Sequence, residues 1–287
     1  MAHGNGSISV KRLSGALGAE ISGVDLAAPL GNDAFAGVHQ ALLDHCVIFF
    51  RDQIMTPGQH VAFARRFGRI SVHPYAPALP GHPEVMTIFK EKDDKVNFGG
   101  GWHSDMTFLE QPPLGSILYA KDIPPYGGDT MFANQYLAYD ALSPGMKRTL
   151  DGLNAVHSAN AQYGVDGRSE ASVNNDRRSM KPKTSEDAKA EMVHPVVRTH
   201  PETGKKALYV NVGFTQRFEG WTKDESRPLL RWLYEHCAKP EFTCRFQWAK
   251  NSVAFWDNRC TQHYALNDYH GFRREMHRVT VEGDRPR

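Results

Sequence analysis

The amino-acid sequence predicts a mainly β fold with flanking helices, arranged as a double-sheet sandwich or jelly roll. Three observations lead there. Short β-type runs recur after residue 70, at Val85 to Phe89, Gly115 to Ala120, Thr130 to Ala133, Ala207 to Asn211 and Met276 to Val281. Phe242, Cys244, Phe246 and Trp248 alternate with Thr243, Arg245 and Gln247, the period of a half-buried strand. Helical patterns are few, so helices pack outside the sheets.

The elements follow in chain order. Residues 1–10 are rich in Gly, Ser and Asn and read as a disordered tail. Leu17 to Leu26 is a short strand and turn. Asp33 to Cys46 carries Phe35, Val38, Ala41 and Leu42 at helical spacing. Cys46 to Phe50 is a buried strand. Thr56 caps a second helix, with Pro57 in its first turn and Gly68 just past its end. Residues 159–192 are polar and charged with few large apolar side chains, a surface insertion or a lid. Thr222 and Glu225 form a capping box for a helix carrying Leu229, Leu230 and Leu233. Ser252 to Trp256 is apolar on both parities, as a central strand is. No repeat and no second domain interrupts this pattern, so residues 1–287 form one domain.

The bulk composition excludes several classes. With 34 basic and 32 acidic residues the net charge is +2, which argues against nucleic-acid or membrane-surface partners. No run of about 18 apolar residues predicts a transmembrane helix, and the start lacks a secretory signal. Cys46, Cys237, Cys244 and Cys260 lie in or beside apolar runs with no C-x-x-C pair. They read as buried free thiols in a reducing, cytoplasmic compartment.

The chemistry starts at His103 and Asp105 in Trp102-His103-Ser104-Asp105. Two apart on a strand, an imidazole and a carboxylate project to one side. They are two of the three ligands of a facial Fe(II) site, and His263 is the candidate third. A zinc hydrolase could use the same ligands, and a non-catalytic anion-binding protein could retain the fold. Arg274 and Arg278 follow His263 on a C-terminal strand. A guanidinium donates two parallel hydrogen bonds to a carboxylate or sulfonate. Beside a metal, that predicts a 2-oxoacid whose far carboxylate an arginine holds.

Several motifs in one order resemble the TauD/TfdA family of Fe(II)- and 2-oxoglutarate-dependent dioxygenases. They are Gly18 to Ile21, Val47 to Arg51, Trp102 to Asp105, Gly127 to Thr130, His194 to Pro201, Trp256 to Arg259, Gln262 to Ala265 and Met276 to Arg278. The resemblance implies a double-stranded β-helix (jelly-roll) core and a homo-oligomer, dimer or tetramer. It implies Fe(II) on His103, Asp105 and His263, with 2-oxoglutarate and O2 as cosubstrates and succinate and CO2 as products. Thr130 and Arg274 match the positions that hold the distal carboxylate of 2-oxoglutarate. Arg278 and His73 match substrate-anion positions, and Phe214 and Tyr163 match pocket walls. Gly99 stands where taurine enzymes place an asparagine for the substrate's amine end. This favours a bulkier or less polar anion over taurine: an alkyl or aryl sulfonate, a sulfate ester, or an aryloxyalkanoate. His194, His200 and His277 read as structural, and Asp257 and Asn258 as braces behind the ligands.

Overall fold

A computed structural model describes residues 8–165 and 178–287. Its strands are β1 (Ser9–Arg12), β2 (Ala19–Ser22), β3 (Val47–Phe50), β4 (Ile70–Ser71), β5 (Ala78–Leu79), β6 (His82–Lys90), β7 (Gly115–Asp122), β8 (Thr130–Asn134) and β9 (Asn154–Ser158). They continue as β10 (Glu191–Pro195), β11 (Val197–Thr199), β12 (Lys206–Leu208), β13 (Thr215–Phe218), β14 (Thr243–Phe246), β15 (Val253–Asp257), β16 (Thr261–Ala265) and β17 (Arg274–Val281).

Among the described residues the major sheet has the order β1-β2-β3-β15-β7-β17-β6-β5, with β4 on the edge of β17. A smaller sheet, β14-β8-β16, faces it. Between them lie Phe49, Ala254, Trp256 and Met276 from the major sheet, against Phe132, Cys244 and Phe246 from the smaller one. Phe49 and Phe246 stack face to face, with centroids 4.0 Å apart. Truncating Phe49 to alanine there would cost about 3–5 kcal/mol.

Strand periodicity sends the alternate residues outward. Val253 and Phe255 of β15, with Val279 and Val281 of β17, meet the helices Asn32–His45 and Pro57–Arg65. This explains why β15 is apolar on both parities. Thr56 closes a reciprocal capping box with Gln59, and Thr222 does so with Glu225 at the start of the helix Lys223–Cys237. That last helix buries Leu230, Leu233 and Cys237 against Phe218 and Leu208, in a third core. The result is a mainly β jelly roll with helices outside, as the sequence implied.

Several local expectations change. Ser9 and Val10, assigned to the tail, pair with Ser22 and Ile21 in an edge strand; residues 1–7 lie outside the described residues. The strand expected at Ala207 to Asn211 ends at Leu208. Of the expected insertion, residues 166–177 lie outside the described residues, while Tyr163, Met180 and Ala188 at its two ends are buried. The four cysteines are free and buried. No helix among the described residues is long and apolar enough to cross a membrane.

Candidate active site

β16 pairs with β8, placing His263 opposite Phe132 at the mouth of the inner layer. The His263 ring is packed by Trp256 and Phe132, at centroid distances of 4.6 and 6.2 Å. His103 and Asp105 do not lie on a strand, contrary to the sequence reading. His103 makes one isolated antiparallel bridge to His263, with N–H···O distances of 3.1 and 2.8 Å, and the chain then turns. The bridge sets the two imidazoles side by side, 4.2 Å between centroids. The turn swings the Asp105 carboxylate beneath both.

One ligand atom from each of His103, Asp105 and His263 falls within 4.8 Å of the others. Asp105 Oδ1 lies 3.7 Å from His103 Nε2 and 3.8 Å from His263 Nε2, too far for hydrogen bonds and suitable for a shared cation. His103 Nδ1 is 2.8 Å from the carbonyl of Gly101, which turns Nε2 toward the carboxylate. Burial holds both imidazoles below their ordinary pKa, so they present lone pairs. Burial also opposes ionisation of Asp105. The Arg278 guanidinium and a 3.1 Å hydrogen bond from Ser116 override it and hold the carboxyl well below the usual range. The donor set is two neutral imidazoles and one carboxylate, which fits Fe(II).

The pleat of β17 aims Arg274, Met276 and Arg278 at the interior, with Val279 and Val281 on the opposite face. Arg274 is buried, and its Nε and Nη2 have no hydrogen-bond partner. Burial lowers its pKa, partly offset by Tyr269 and Asp129. Its guanidinium lies 5.8 Å from the Trp248 ring, and Trp248 Nε1 donates to Thr130 Oγ1 at 2.9 Å. Thr130 and Arg274 thus meet at Trp248. Gly128, at φ +69°, leaves room: a Cβ there would come within 3.2 Å of Arg274 Cδ and of the Tyr269 ring. Unpartnered guanidinium nitrogens in a buried recess fit the far carboxylate of a 2-oxoacid.

A cavity of about 550 Å³ opens on His103 and Asp105. Trp102, Met106, Tyr163, Phe214 and Val212 give it apolar walls, and Arg178 and Arg278 give it positive charge. Phe214 stands edge-on to His103 at 6.5 Å. Tyr163 is edge-on to His73 at 5.8 Å and stacks on Tyr75 at 4.9 Å. His73 also lines the cavity. Its Nδ1 accepts from the backbone N–H groups of Tyr75 and Ala76, each at 3.1 Å. The ring proton therefore sits on Nε2. Burial, reinforced by Arg278, lowers the His73 pKa to about 3, so the ring is a neutral donor.

The structure thus brings His73, His103, Asp105, Tyr163, Phe214 and Arg278 to one cavity, His263 beside His103 and Asp105, and Thr130 and Arg274 to the recess at Trp248. Sequence reasoning missed Trp248, whose alternation marked it only as core, and Ser116, a small residue in an apolar strand. His194 and His200 are structural as read, bonded to the carbonyl of Leu109 and to Asp257. His277 bonds Glu275.

A jelly roll that presents two imidazoles, one carboxylate and a buried arginine with two unpartnered nitrogens has the architecture of a 2-oxoacid-using non-haem iron oxygenase. The chain belongs to the TauD/TfdA family: the model of the "Taurine catabolism dioxygenase TauD, TfdA family" matches residues 9–280. It is an Fe(II)/2-oxoglutarate-dependent dioxygenase, and the zinc-hydrolase and non-catalytic readings fall away. An alkylsulfatase of Acinetobacter baylyi is 38% identical over 278 residues, covering 96% of this chain and 86% of the relative. An alpha-ketoglutarate-dependent sulfate ester dioxygenase of Pseudomonas putida is 36% identical, covering 97% and 91%. The crystal structure of a taurine dioxygenase from Burkholderia xenovorans superposes with a TM-score of 0.79 at 40% identity, covering 98% and 91%.

Proposed function

We propose that this dioxygenase acts on sulfate esters with an apolar body, releasing sulfate and an aldehyde. The observation that carries the reading is the character of the cavity. Its described lining sets Arg278 among aromatic and aliphatic walls and the amides of Asn97, Gln162 and Asn267, and Asp105 is the only acid in that described lining. An anion is welcome there, and among the described residues an ammonium has no free carboxylate to meet. This favours an alkyl sulfate over an amino-sulfonate such as taurine, and similarity to the alkylsulfatase and the sulfate ester dioxygenase supports it.

When bound, Fe(II) and 2-oxoglutarate supply the oxidising chemistry that places one oxygen atom of O2 on a substrate carbon, with succinate and CO2 as coproducts. His103, Asp105 and His263 hold the metal on one face. Arg274 and Thr130 hold the distal carboxylate of 2-oxoglutarate. The Thr130 oxygen accepts from Trp248, so its own proton is free to donate to that carboxylate. Arg278 and the Nε2–H of His73 grip the sulfate and set the carbon bearing the ester oxygen toward the triad. Phe214, Tyr163 and Trp102 exclude water around that carbon. Hydroxylation there yields a hemiacetal-type ester, which loses sulfate to leave the aldehyde.

The test is coupled turnover over a panel of hexyl sulfate, hexanesulfonate, taurine and a phenoxyacetate. Equal yields of succinate, sulfate and hexanal from hexyl sulfate are expected. Succinate without sulfate release, or faster coupled turnover of taurine, overturns the proposal.

A further inference from the structure

We propose that Asn258 is the positioning residue for the carboxylate ligand, and that its carboxamide takes the place of a missing strand. Asn258 Oδ1 accepts from the Asp105 backbone N–H at 2.7 Å, and Nδ2 donates to the Asp105 carbonyl at 2.9 Å. The same Nδ2 reaches the carbonyl of Pro113 at 3.4 Å. The side chain is fully buried. A carboxamide has the donor and acceptor of a peptide group, so it pairs with both backbone groups of one residue as a β partner does.

The need for it lies in the local chain path. His103 pairs with His263 through the backbone, and Ser104 is held by its hydroxyl, which donates to the carbonyl of Thr261 at 2.8 Å. By Asp105 the chain is leaving β16, and Met106 sits at φ +47°. Asn258 pairs the Asp105 backbone at that departure, where an unpaired buried N–H and C=O would otherwise let the carboxylate shift.

Asn258 is itself held firmly. It lies in the turn joining β15 to β16, and β16 carries His263. Beside it the Asp257 carboxylate accepts from Arg259 Nε at 2.8 Å and Nη2 at 2.7 Å, and bonds His200 at 3.0 Å. One clamped turn therefore fixes two ligands that are 158 positions apart in sequence, since 263 − 105 = 158. The inference rests on the reading of His103, Asp105 and His263 as the ligand set.

The experiment is titration of Mn(II) and Co(II) into the metal-free protein, with Co(II) absorption reporting ligand geometry. Asn258→Ala should weaken metal binding about 10- to 100-fold and alter the Co(II) bands. Asn258→Asp keeps the acceptor but loses the donor, and should weaken binding despite adding a negative charge. Tyr234→Phe removes a 3.2 Å hydrogen bond to the Thr215 carbonyl in the third core, away from this turn. It should leave affinity within about twofold even where it lowers the melting temperature. Affinity near wild type in Asn258→Asp, or equal losses in Asn258→Asp and Tyr234→Phe, overturns the proposal, and Asn258→Asp decides it where Asn258→Ala does not fold. Asp105→Ala tests the ligand set separately: retained metal binding there would sink that reading rather than the clamp.

Discussion

Arg278 Nη1 donates to Asp105 Oδ1 at 3.0 Å, the same oxygen that faces His103 Nε2 and His263 Nε2. Without a cation, the guanidinium is the main charge that keeps a buried carboxylate ionised. On the proposed reading, a cation there frees the guanidinium's donors for a substrate anion. Removing one partner of a buried ion pair typically costs about 3–5 kcal/mol. Arg278→Met should therefore destabilise the metal-free protein by an amount of this order, and saturating Mn(II) should return much of it. Denaturant unfolding with and without Mn(II) checks this; a loss that metal does not diminish would contradict it.

If Arg274 holds the cosubstrate as proposed, it separates cosubstrates by their far end. On the proposed reading its orphaned donors meet the distal carboxylate, with charge-assisted hydrogen bonds of about 1.5–3 kcal/mol. Arg274→Ala should weaken 2-oxoglutarate binding about 100-fold and leave 2-oxobutyrate, which lacks that carboxylate, nearly unchanged. Anaerobic titration of the Fe(II) protein, followed by its visible charge-transfer band, measures both.

Trp248 orients Thr130 through a single hydrogen bond. Losing one such bond is worth about 1 kcal/mol, so Trp248→Phe should raise KM for 2-oxoglutarate about fivefold with little change in kcat. An unchanged KM would remove Trp248 from the recess.

Acid should destabilise the fold, through histidines away from the triad as well as through Asp105 and Asp257. Burial lowers His60 and His157 to about 3 from an ordinary 6.5. Between those values the unfolded chain binds protons that the native chain refuses, so stability is greatest above 6.5 and falls with pH below it. Each histidine contributes up to about 1.4 kcal/mol per pH unit in that window. Urea unfolding of the metal-free protein at pH 7.5 and 5.0 tests the sign; equal stabilities would rule it out. His60→Gln should shallow the slope.

The sequence carried the local part of this protein because local physics is written in spacing. The Thr56 N-cap, the Thr222 capping box, the alternation over β14 and the two-sided apolarity of β15 needed only neighbouring residues to be read. Motif order, from Trp102-His103-Ser104-Asp105 to Met276-His277-Arg278, was enough to nominate the ligands and the arginines. What spacing could not reveal is who meets whom across 100 residues and more. His103 and Asp105 converge through one bridge to His263 and a carboxamide from Asn258, not through a strand of their own. Trp248 turns from core residue to the support of Thr130 only once β14 lies beside β8. Arg274 becomes an orphaned donor only when β17 buries it. Backbone pairing and desolvation are non-local, so the jelly roll decided the geometry, the charge states and the character of the cavity, while the sequence determined which side chains would be there.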